Sequence, residues 1–360
     1  FTIHDQRFLT ALSREDFDIT LLILEGSFNQ SKTFSTPENI STVPWRGANH
    51  PLNWHSGFSL QKSIQSVIEE VKPDLIHAGP IQSCAFLSAL VDFHPLVSVS
   101  WGYDLLIDAR RSGINRWITK YTLKNSDVLV GDCQTIRKEA EFFGVQPERI
   151  VTFPWGIDLD HFKISNSKKI NNGTFTLLST RAWEPIYGVE VIAHAFVKAA
   201  RDLPQLRLIL LGNGSQEKIL YRIFSKGNAL DKVIFAGQIK QAELPSYYQN
   251  ADLYVAATYS DGTSISLLEA LACGIPVLVS DLPGNQEWVK PGVQGWLFPE
   301  GDPDRLTQSI IHAWKNRDRL SDMGKFARSL AETRADWNTN FPKLLEAYKL
   351  ALELATPLLQ

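Results

Sequence analysis

The stretch SDGTSISLLEALACGIPVLVSDLPGNQEWV, from Ser260 to Val289, decides the fold. Apolar residues recur at helical spacing over 265–272, and Gly274 and Pro276 then stop the helix. The apolar residues 277–279 predict a buried strand directly after it. Similar alternations of strand and helix run through both halves of the chain, so the sequence predicts parallel sheets covered by helices on both faces.

Two carboxylates in this stretch suggest a use for the helix. Asp261 lies just before it, and Glu269 lies within its apolar run. Eight helical residues rise about 12 Å, so one elongated ligand can meet both carboxylates while its phosphates meet the free N–H groups near 262–264. A nucleotide-sugar has that order of sugar, diphosphate and ribose. The alternatives are a helix cap for Asp261 and a solvent-facing side chain for Glu269, although burying Glu269 unpartnered would be costly.

The stretch resembles the signature of the family 4 retaining glycosyltransferases: an acidic residue, seven residues, Glu, and then Ala-x-Ala-x-Gly-x-Pro-Val. Here it runs from Asp261 through Glu269 to Val277. The family usually begins the pattern with Glu, so Asp261 is one methylene shorter. The resemblance is strong in the second half and loose in the first. It implies the GT-B fold, with two Rossmann-like, doubly wound parallel-sheet domains facing an interdomain cleft.

Three segments follow from this pattern. We expect an N-terminal acceptor-binding domain over 1–160 and a C-terminal nucleotide-sugar-binding domain over 161–335. The polar stretch 164–173 is the predicted linker, and the resemblance implies that the final helix, over 336–360, returns to the first domain. Residues 2–7 read like the loop and helix after a first strand, so we expect that strand and the initiator methionine to be missing.

Composition narrows the class of protein. The 360 residues are 44% hydrophobic and 21% charged, which is typical of a soluble globular chain with room for two cores. A net charge of −3 gives no global basic field for nucleic acid. Three scattered cysteines without a C-x-x-C favour reduced thiols. With no apolar run of about 18 residues and no signal peptide, we expect a cytoplasmic protein. Peripheral association with the inner face of a membrane stays open, although no amphipathic basic helix in the sequence supports it.

On the donor side, Arg181 follows a predicted strand and precedes a helix, where a guanidinium suits a diphosphate. The resemblance implies that phosphate-binding role. The family usually adds a Lys before the next Gly, and here Tyr187 stands there. Another cation replaces the Lys, the tyrosine hydroxyl donates instead, or activity is weak or lost. Gly212 borders the nucleotide in the family, although it can equally be a tight turn. The other predicted donor contacts are Gly262, Thr263, Ser264 and Ile265.

On the acceptor side, Trp101 and Asp104 follow a predicted strand, where many relatives have His-Gly-x-Asp with the His on the transferred sugar. Trp101 replaces that His. His77, and His4 if a first strand precedes it, also fall at the carboxyl ends of strands, where ligands bind in such sheets. For each residue the alternative is a structural hydrogen bond. The long polar and aromatic segment 26–57 is predicted to face the acceptor.

The sequence thus predicts retaining transfer of a hexose-type sugar from a nucleotide-diphosphate sugar to a glycan, lipid-linked or small-molecule acceptor. Arg181, Asp261 and Glu269 are the predicted catalytic residues. We expect no cofactor and no metal, because the three Asp-x-Asp triplets are scattered and the resembled family needs none. The alternatives are a nucleotide-sugar 2-epimerase on the same fold, a two-domain solute-binding protein without catalysis, and an inactive relative.

Overall fold

The computed structural model describes residues 3–24, 36–49, 52, 57–165 and 173–355, with side chains from Asp5 onwards. The chain divides into two compact units. Unit 1 is formed by Phe1–Gly131, Arg137–Val151 and Lys343–Gln360, and unit 2 by Asp132–Ile136 and Thr152–Pro342. Half of the predicted acceptor-facing segment and most of the predicted linker lie outside the described residues, as does the side chain of His4.

The first half of the chain builds one four-stranded sheet and a separate parallel pair. Its strands are β1 (Ile19–Leu21), β2 (Ile40–Thr42), β3 (Ile76–Ala78), β4 (Leu96–Val99), β5 (Val128–Gly131) and β6 (Ile150–Thr152). The sheet has the order β3-β4-β5-β6, and β1 pairs with β2. The β3–β4 and β4–β5 pairings are parallel, with Ile76 opposite Leu96 and Val97 opposite Val128. Strands β4 and β5 are buried along their length, which explains their apolar runs.

Helices cover this first sheet. They are α1 (Ile3–Leu12), α2 (Gly57–Val71), α3 (Phe86–Leu90), α4 (Ala109–Arg111), α5 (Gly113–Lys124) and α6 (Gln134–Phe142). Two short π-helical stretches, Ile81–Ala85 and Asp104–Asp108, precede α3 and α4. The sequence predicts an uninterrupted helix over 81–90, and the structure instead starts that helix with a wider turn. Both wide turns follow the carboxyl ends of strands.

Unit 2 holds a six-stranded sheet. Its strands are β7 (Phe175–Ser179), β8 (Leu206–Leu211), β9 (Val233–Gly237), β10 (Leu253–Ala256), β11 (Val277–Ser280) and β12 (Gly295–Phe298). They lie in the order β12-β11-β10-β7-β8-β9, all in parallel. The chain builds outward from β7 through β8 to β9, and then returns to the other side of β7 with β10. The boundary between β7 and β10 is therefore the switch point at which doubly wound sheets bind ligands.

The helices of the second half are α7 (Val189–Asp202), α8 (Glu217–Lys226), α9 (Leu244–Asn250), α10 (Ile265–Ala272), α11 (Pro283–Gln286), α12 (Pro303–Lys315), α13 (Leu320–Arg334), α14 (Trp337–Asn340) and α15 (Pro342–Ala355). Helix α10 is the signature helix, and it is buried from Leu267 to Ala272. It ends against α13 at a close backbone approach, where a Cβ on Gly324 would lie 2.2 Å from the carbonyl oxygen of Gly274. The predicted architecture of parallel α/β sheets is thus confirmed.

Candidate functional site

An arginine and an aspartate lie close together at the switch point of the unit 2 sheet. Arg181 follows β7 by two residues, and Asp261 lies in the loop that connects β10 to α10. Because β7 and β10 are neighbouring parallel strands, both loops leave the same edge of the sheet. The Arg181 Nη2 atom lies 3.0 Å from Asp261 Oδ2. The structure therefore brings together two of the three predicted catalytic residues.

The Arg181 guanidinium is held on three further sides. Its Nη1 donates to Ser264 Oγ at 2.8 Å and to Ser266 Oγ at 3.3 Å. The guanidinium carbon lies 4.2 Å from the centre of the Tyr187 ring, a cation–π contact. Burial acts to lower the pKa of Arg181, but Asp261 raises it and the pKa ends above its usual value. The site therefore contains a permanent, oriented positive charge.

The N-terminus of α10 adds a second positive element. Ser264 is its N-cap residue, yet its side chain caps no backbone N–H and accepts from Arg181 instead. The first N–H groups of a helix have no partner within the helix, and they carry the positive end of the helix dipole. At this end of α10, backbone donors therefore lie beside a guanidinium, a combination that suits an anionic ligand such as a diphosphate.

Glu269 lies deeper in the same helix. Its side chain is only 6% exposed, so the solvent-facing alternative is wrong. Glu269 Oε2 accepts a 2.8 Å hydrogen bond from Tyr248 Oη. Burial, followed by the charge of Glu269, raises the pKa of Tyr248 well above its usual value, so the tyrosine keeps its proton and donates it. The buried carboxylate of Glu269 thus has a hydrogen-bond partner that fixes its orientation.

A chain of hydroxyls connects Glu269 with the loop of Arg181. Thr180 Oγ1 lies 3.1 Å from Tyr248 Oη, and Thr180 directly precedes Arg181. Tyr254, in β10, donates to Ser266 Oγ at 2.8 Å. Sequence reasoning missed Thr180, Tyr248, Tyr254 and Ser266. Their only signal is a polar side chain within or beside an otherwise buried element.

Asp132 is a further residue that sequence reasoning missed. This buried carboxylate accepts from the Thr263 backbone N at 2.7 Å, and Thr263 Oγ1 donates to the Asp132 carbonyl at 2.9 Å. Burial, with the charge of Asp261 contributing, raises the pKa of Asp132 to about 6. A Cβ on Gly262 would lie 2.5 Å from Asp132 Oδ1, so any larger residue at position 262 would displace the Asp132 carboxylate. In the sequence, the one signal of Asp132 is its position directly after β5.

Gly212 lies against the backbone of the loop that carries Arg181. Its φ of +94° lies in the left-handed region, which favours glycine. A Cβ there would lie 3.1 Å from the Arg181 carbonyl oxygen. The neighbouring Trp183 backbone N donates to the Asn213 carbonyl at 2.8 Å. Gly212 therefore forms a tight turn, as one of its two interpretations proposed. It also lies directly against the backbone of Arg181, the predicted phosphate-binding residue.

The predicted acceptor-side residues lie in unit 1, and His77, Trp101 and Asp104 have contacts there. The buried Asp104 carboxylate accepts from the backbone N of Ile81, Trp101 and Leu105 and from Ser100 Oγ, at 2.6–3.3 Å. Burial outweighs these hydrogen bonds and raises the pKa of Asp104. Four donors on one carboxylate favour the structural alternative for Asp104.

His77 and Trp101 have packing contacts of their own. Tyr348 Oη lies 2.5 Å from His77 Nδ1, and burial lowers the pKa of His77 to about 4. The neutral ring and the tyrosine hydroxyl therefore share a hydrogen bond, and the tautomer of the imidazole decides which of the two donates. Trp101 packs edge-on against Phe8, with ring centres 6.1 Å apart. Whether either residue contacts an acceptor stays a prediction.

Over the described residues, no group of three or more His, Cys, Asp and Glu side chains is arranged to hold a metal ion. In the same part of the chain, no helix combines the length and the apolar character that crossing a membrane requires.

Two family models match the chain. One, described as glycosyl transferase 4-like, matches residues 1–133, and the other, described as glycosyl transferases group 1, matches residues 160–330. The chain belongs to the family 4 glycosyltransferases. This is a family of sugar-transferring enzymes, and the family match bears out the resemblance that the Asp261-to-Val277 pattern carried.

Individual relatives are more distant. The GtfA subunit of the UDP-N-acetylglucosamine–peptide N-acetylglucosaminyltransferase of Streptococcus pneumoniae is 27% identical over 54% of this chain and 38% of its own. The chain spans between 38% and 57% of the length of the curated relatives it matches. Among solved structures, sucrose-phosphate synthase from Thermosynechococcus elongatus has a TM-score of 0.79 at 19% identity, covering 96% of this chain and 92% of its own.

A second solved structure, Anabaena HepE in complex with UDP and glucose, has a TM-score of 0.72 at 21% identity and covers 86% of each chain. At these identities the two structures establish the GT-B fold alone. In the resemblance drawn from the sequence, Glu269 and Arg181 match the family's usual pattern. The chain departs from the usual pattern at Asp261, Tyr187 and Trp101.

Proposed function

We propose that this protein transfers a hexose-type sugar from a nucleoside-diphosphate sugar to an acceptor with retention of configuration. The observation that carries the proposal is the placement of Arg181 between Asp261 and the N-terminus of α10, at 3.0 Å and 2.8 Å from Asp261 and Ser264. Glu269 stands about one turn further along the same helix. HepE, a structural neighbour, was solved with UDP and glucose, which supports a nucleotide donor.

In this proposal the donor lies along α10. Arg181 and the first backbone N–H groups of the helix bind the diphosphate, Glu269 binds the ribose hydroxyls, and Asp261 binds hydroxyls of the sugar. As the bond from the sugar to the diphosphate breaks, negative charge grows on the leaving phosphate. A fixed guanidinium and fixed backbone dipoles stabilise that charge without reorganising.

Retention requires the acceptor hydroxyl to attack from the face that the diphosphate leaves. The acceptor oxygen then forms the new bond to the sugar carbon, and its proton passes to a phosphate oxygen of the departing diphosphate. We therefore assign no general base among the side chains, and the proposed reaction needs no metal. Tyr187 would act through its ring, which holds Arg181 in place.

The residues of the donor site do not indicate which acceptor the protein uses. A glycan, a lipid-linked sugar and a small molecule remain the proposed classes, for a cytoplasmic protein that associates peripherally with a membrane. The family match does not favour the solute-binding alternative. The 2-epimerase alternative predicts an epimerised free sugar and released nucleotide without any acceptor, so analysis of the sugar product separates the two reactions.

The test is release of nucleoside diphosphate from a panel of UDP- and GDP-sugars, with and without candidate acceptors. Arg181→Ala should lower turnover about 100- to 1,000-fold, the usual effect of removing one preorganised electrostatic contact. Arg181→Lys should recover part of it, and Arg222→Ala, an exposed arginine on α8, should match the wild type. Unchanged turnover in Arg181→Ala would contradict the phosphate role. Donor binding without turnover of any acceptor would support the inactive-relative alternative.

A further inference from the structure

A basic and aromatic surface lies on unit 1, and it includes none of the predicted donor-side residues. The segment 109–124, which contains α4 and α5, carries five cations and no Asp or Glu, in a chain whose net charge is −3. These cations are Arg110, Arg111, Arg116, Lys120 and Lys124. All five are exposed. Such a concentration of one charge sign on two consecutive helices creates a local positive field that the overall composition hides.

Large apolar side chains stand among these cations. Ile114 is 61% exposed and Trp117 is 57% exposed, and they are one helical turn apart on α5. Phe142, at the end of α6, is 60% exposed, and the guanidinium carbons of Arg110 and Arg116 lie 5.2 Å and 5.9 Å from the centre of its ring. Phe142 therefore packs against two of the cations, and Ile114 and Trp117 are exposed on the helix that carries three of them.

Nearby acids neutralise only part of this charge. Arg110 pairs with Glu139 at 2.6 Å, and Arg111 lies 3.7 Å from Asp108. Within the described part of the chain, Arg116, Lys120 and Lys124 have no carboxylate partner. They follow one another at spacings of four residues along α5, so three unneutralised cations form a row along one side of the helix.

We propose that this surface docks the protein on an anionic lipid surface. Charge alone would suit any polyanion, but exposed Ile and Trp side chains are costly to leave in water and gain when they enter the boundary between headgroups and acyl chains. Tryptophan suits that boundary because it joins an apolar body to a polar N–H. Cations in a row beside it match the negative charge of the headgroups. The proposal does not depend on sugar transfer.

The test is sedimentation of the full chain with vesicles of phosphatidylcholine alone, or of phosphatidylcholine with about a third phosphatidylglycerol. The chain should sediment with the anionic vesicles only. Binding should fall severalfold between about 0.1 M and about 1 M salt, because the Debye length shortens from about 10 Å to about 3 Å. Equal binding to neutral vesicles, or no binding to either kind, would overturn the proposal.

Two substitutions separate the charged and the apolar contributions. Lys120→Ala should weaken binding to anionic vesicles about fivefold, the usual share of one cation near such a surface. Ile114→Ser should weaken it about tenfold through lost apolar burial. The matched controls lie in unit 2 and should bind like the wild type: Phe326→Ser, at an aromatic residue that is also 57% exposed, and Lys218→Ala on α8.

Circular dichroism and the melting temperature of each variant should equal those of the wild type, since the side chains of Ile114 and Lys120 are exposed. Loss of binding in the controls as large as in the α5 variants would refute the assignment to this surface. Binding to a soluble polyanion such as heparin, without binding to anionic vesicles, would also refute it and would identify an anionic polymer as the partner.

Discussion

Asp104 and Asp261 are both aspartates in loops that follow parallel strands, and the sequence makes both of them site candidates. Their surroundings differ. Asp104 is buried and accepts from three backbone N–H groups and a serine hydroxyl. Asp261 has a guanidinium as its charged partner, at 3.0 Å, and its side chain is 19% exposed. A carboxylate that is saturated with backbone donors organises a loop, whereas one that faces a single cation near the surface can still contact a ligand.

The first prediction tests the saturated carboxylate. Asp104→Asn should destabilise unit 1 by about 2–4 kcal/mol, because an amide in this position turns an NH₂ group toward backbone donors and leaves them unsatisfied. The measurement is thermal or denaturant unfolding followed by circular dichroism. Asp261→Asn, the matched control, keeps an acceptor for Arg181 and should cost about 1 kcal/mol or less. Equal destabilisation by the two variants would remove the distinction drawn between the carboxylates.

A second contrast between the units concerns pH. The folded pKa of His77 is about 4, below the usual 6.5, so the unfolded chain takes up a proton first as the pH falls, and stability drops from about pH 6.5 to about pH 4. Asp132 behaves oppositely. Its folded pKa is about 6, above the usual 3.8, so its contribution to stability is lost as the pH rises from about 4 to about 6.

Melting temperatures of His77→Gln and Asp132→Asn across this pH range should therefore separate in opposite directions. Relative to the wild type, Asp132→Asn should gain stability as the pH rises toward 6, and His77→Gln should lose it. The spread is about 1–3 kcal/mol, because each pKa unit corresponds to about 1.4 kcal/mol. Curves that run parallel to the wild-type curve would show that neither group titrates differently in the folded protein.

Much of unit 2 could be predicted from sequence because its buried strands are short apolar runs that end at turn residues. The sequence predicts a helix over 265–272 and a strand over 277–279, and the structure has α10 at Ile265–Ala272 and β11 at Val277–Ser280. Helix α13 was missed. Its buried side comprises Met323, Gly324, Ala327 and Ala331, so the small residues that allow close packing on α10 leave little apolar periodicity in the sequence.

The residues of the candidate site also fall into those that could be predicted from the sequence and those that could not. Arg181, Asp261 and Glu269 could be predicted because a spacing within one helix, or a position at the end of a strand, is visible in a linear sequence. Asp132 and Tyr248 could not, because their hydrogen bonds to Thr263 and Glu269 join residues that are far apart in the sequence. Residues whose part is to hold another residue in place carry no local signal.

The third prediction asks whether Asp261 acts on a ligand as well as on Arg181. Asp261→Asn should lower kcat/KM for the donor about tenfold, since one charge-assisted hydrogen bond to the sugar becomes a neutral one. Donor turnover is measured with saturating acceptor, and Asp281→Asn, in the loop after β11, is the control, expected to equal the wild type. If turnover in Asp261→Asn also equals that of the wild type, then Asp261 serves only to orient the guanidinium.

The smallest expected effect concerns Tyr187, which stands where the family usually has a lysine. Its ring lies 4.2 Å from the Arg181 guanidinium carbon, so the contact that matters is with the face of the ring and not with the hydroxyl. Tyr187→Phe should therefore keep donor turnover within about twofold, whereas Tyr187→Ala should lose about fivefold, the range of a partly exposed cation–π contact. A large loss in Tyr187→Phe would mean instead that the hydroxyl donates to the donor phosphate. A gain in Tyr187→Lys over the wild type would mean that the missing charge limits the enzyme, and that stacking compensates for it only in part.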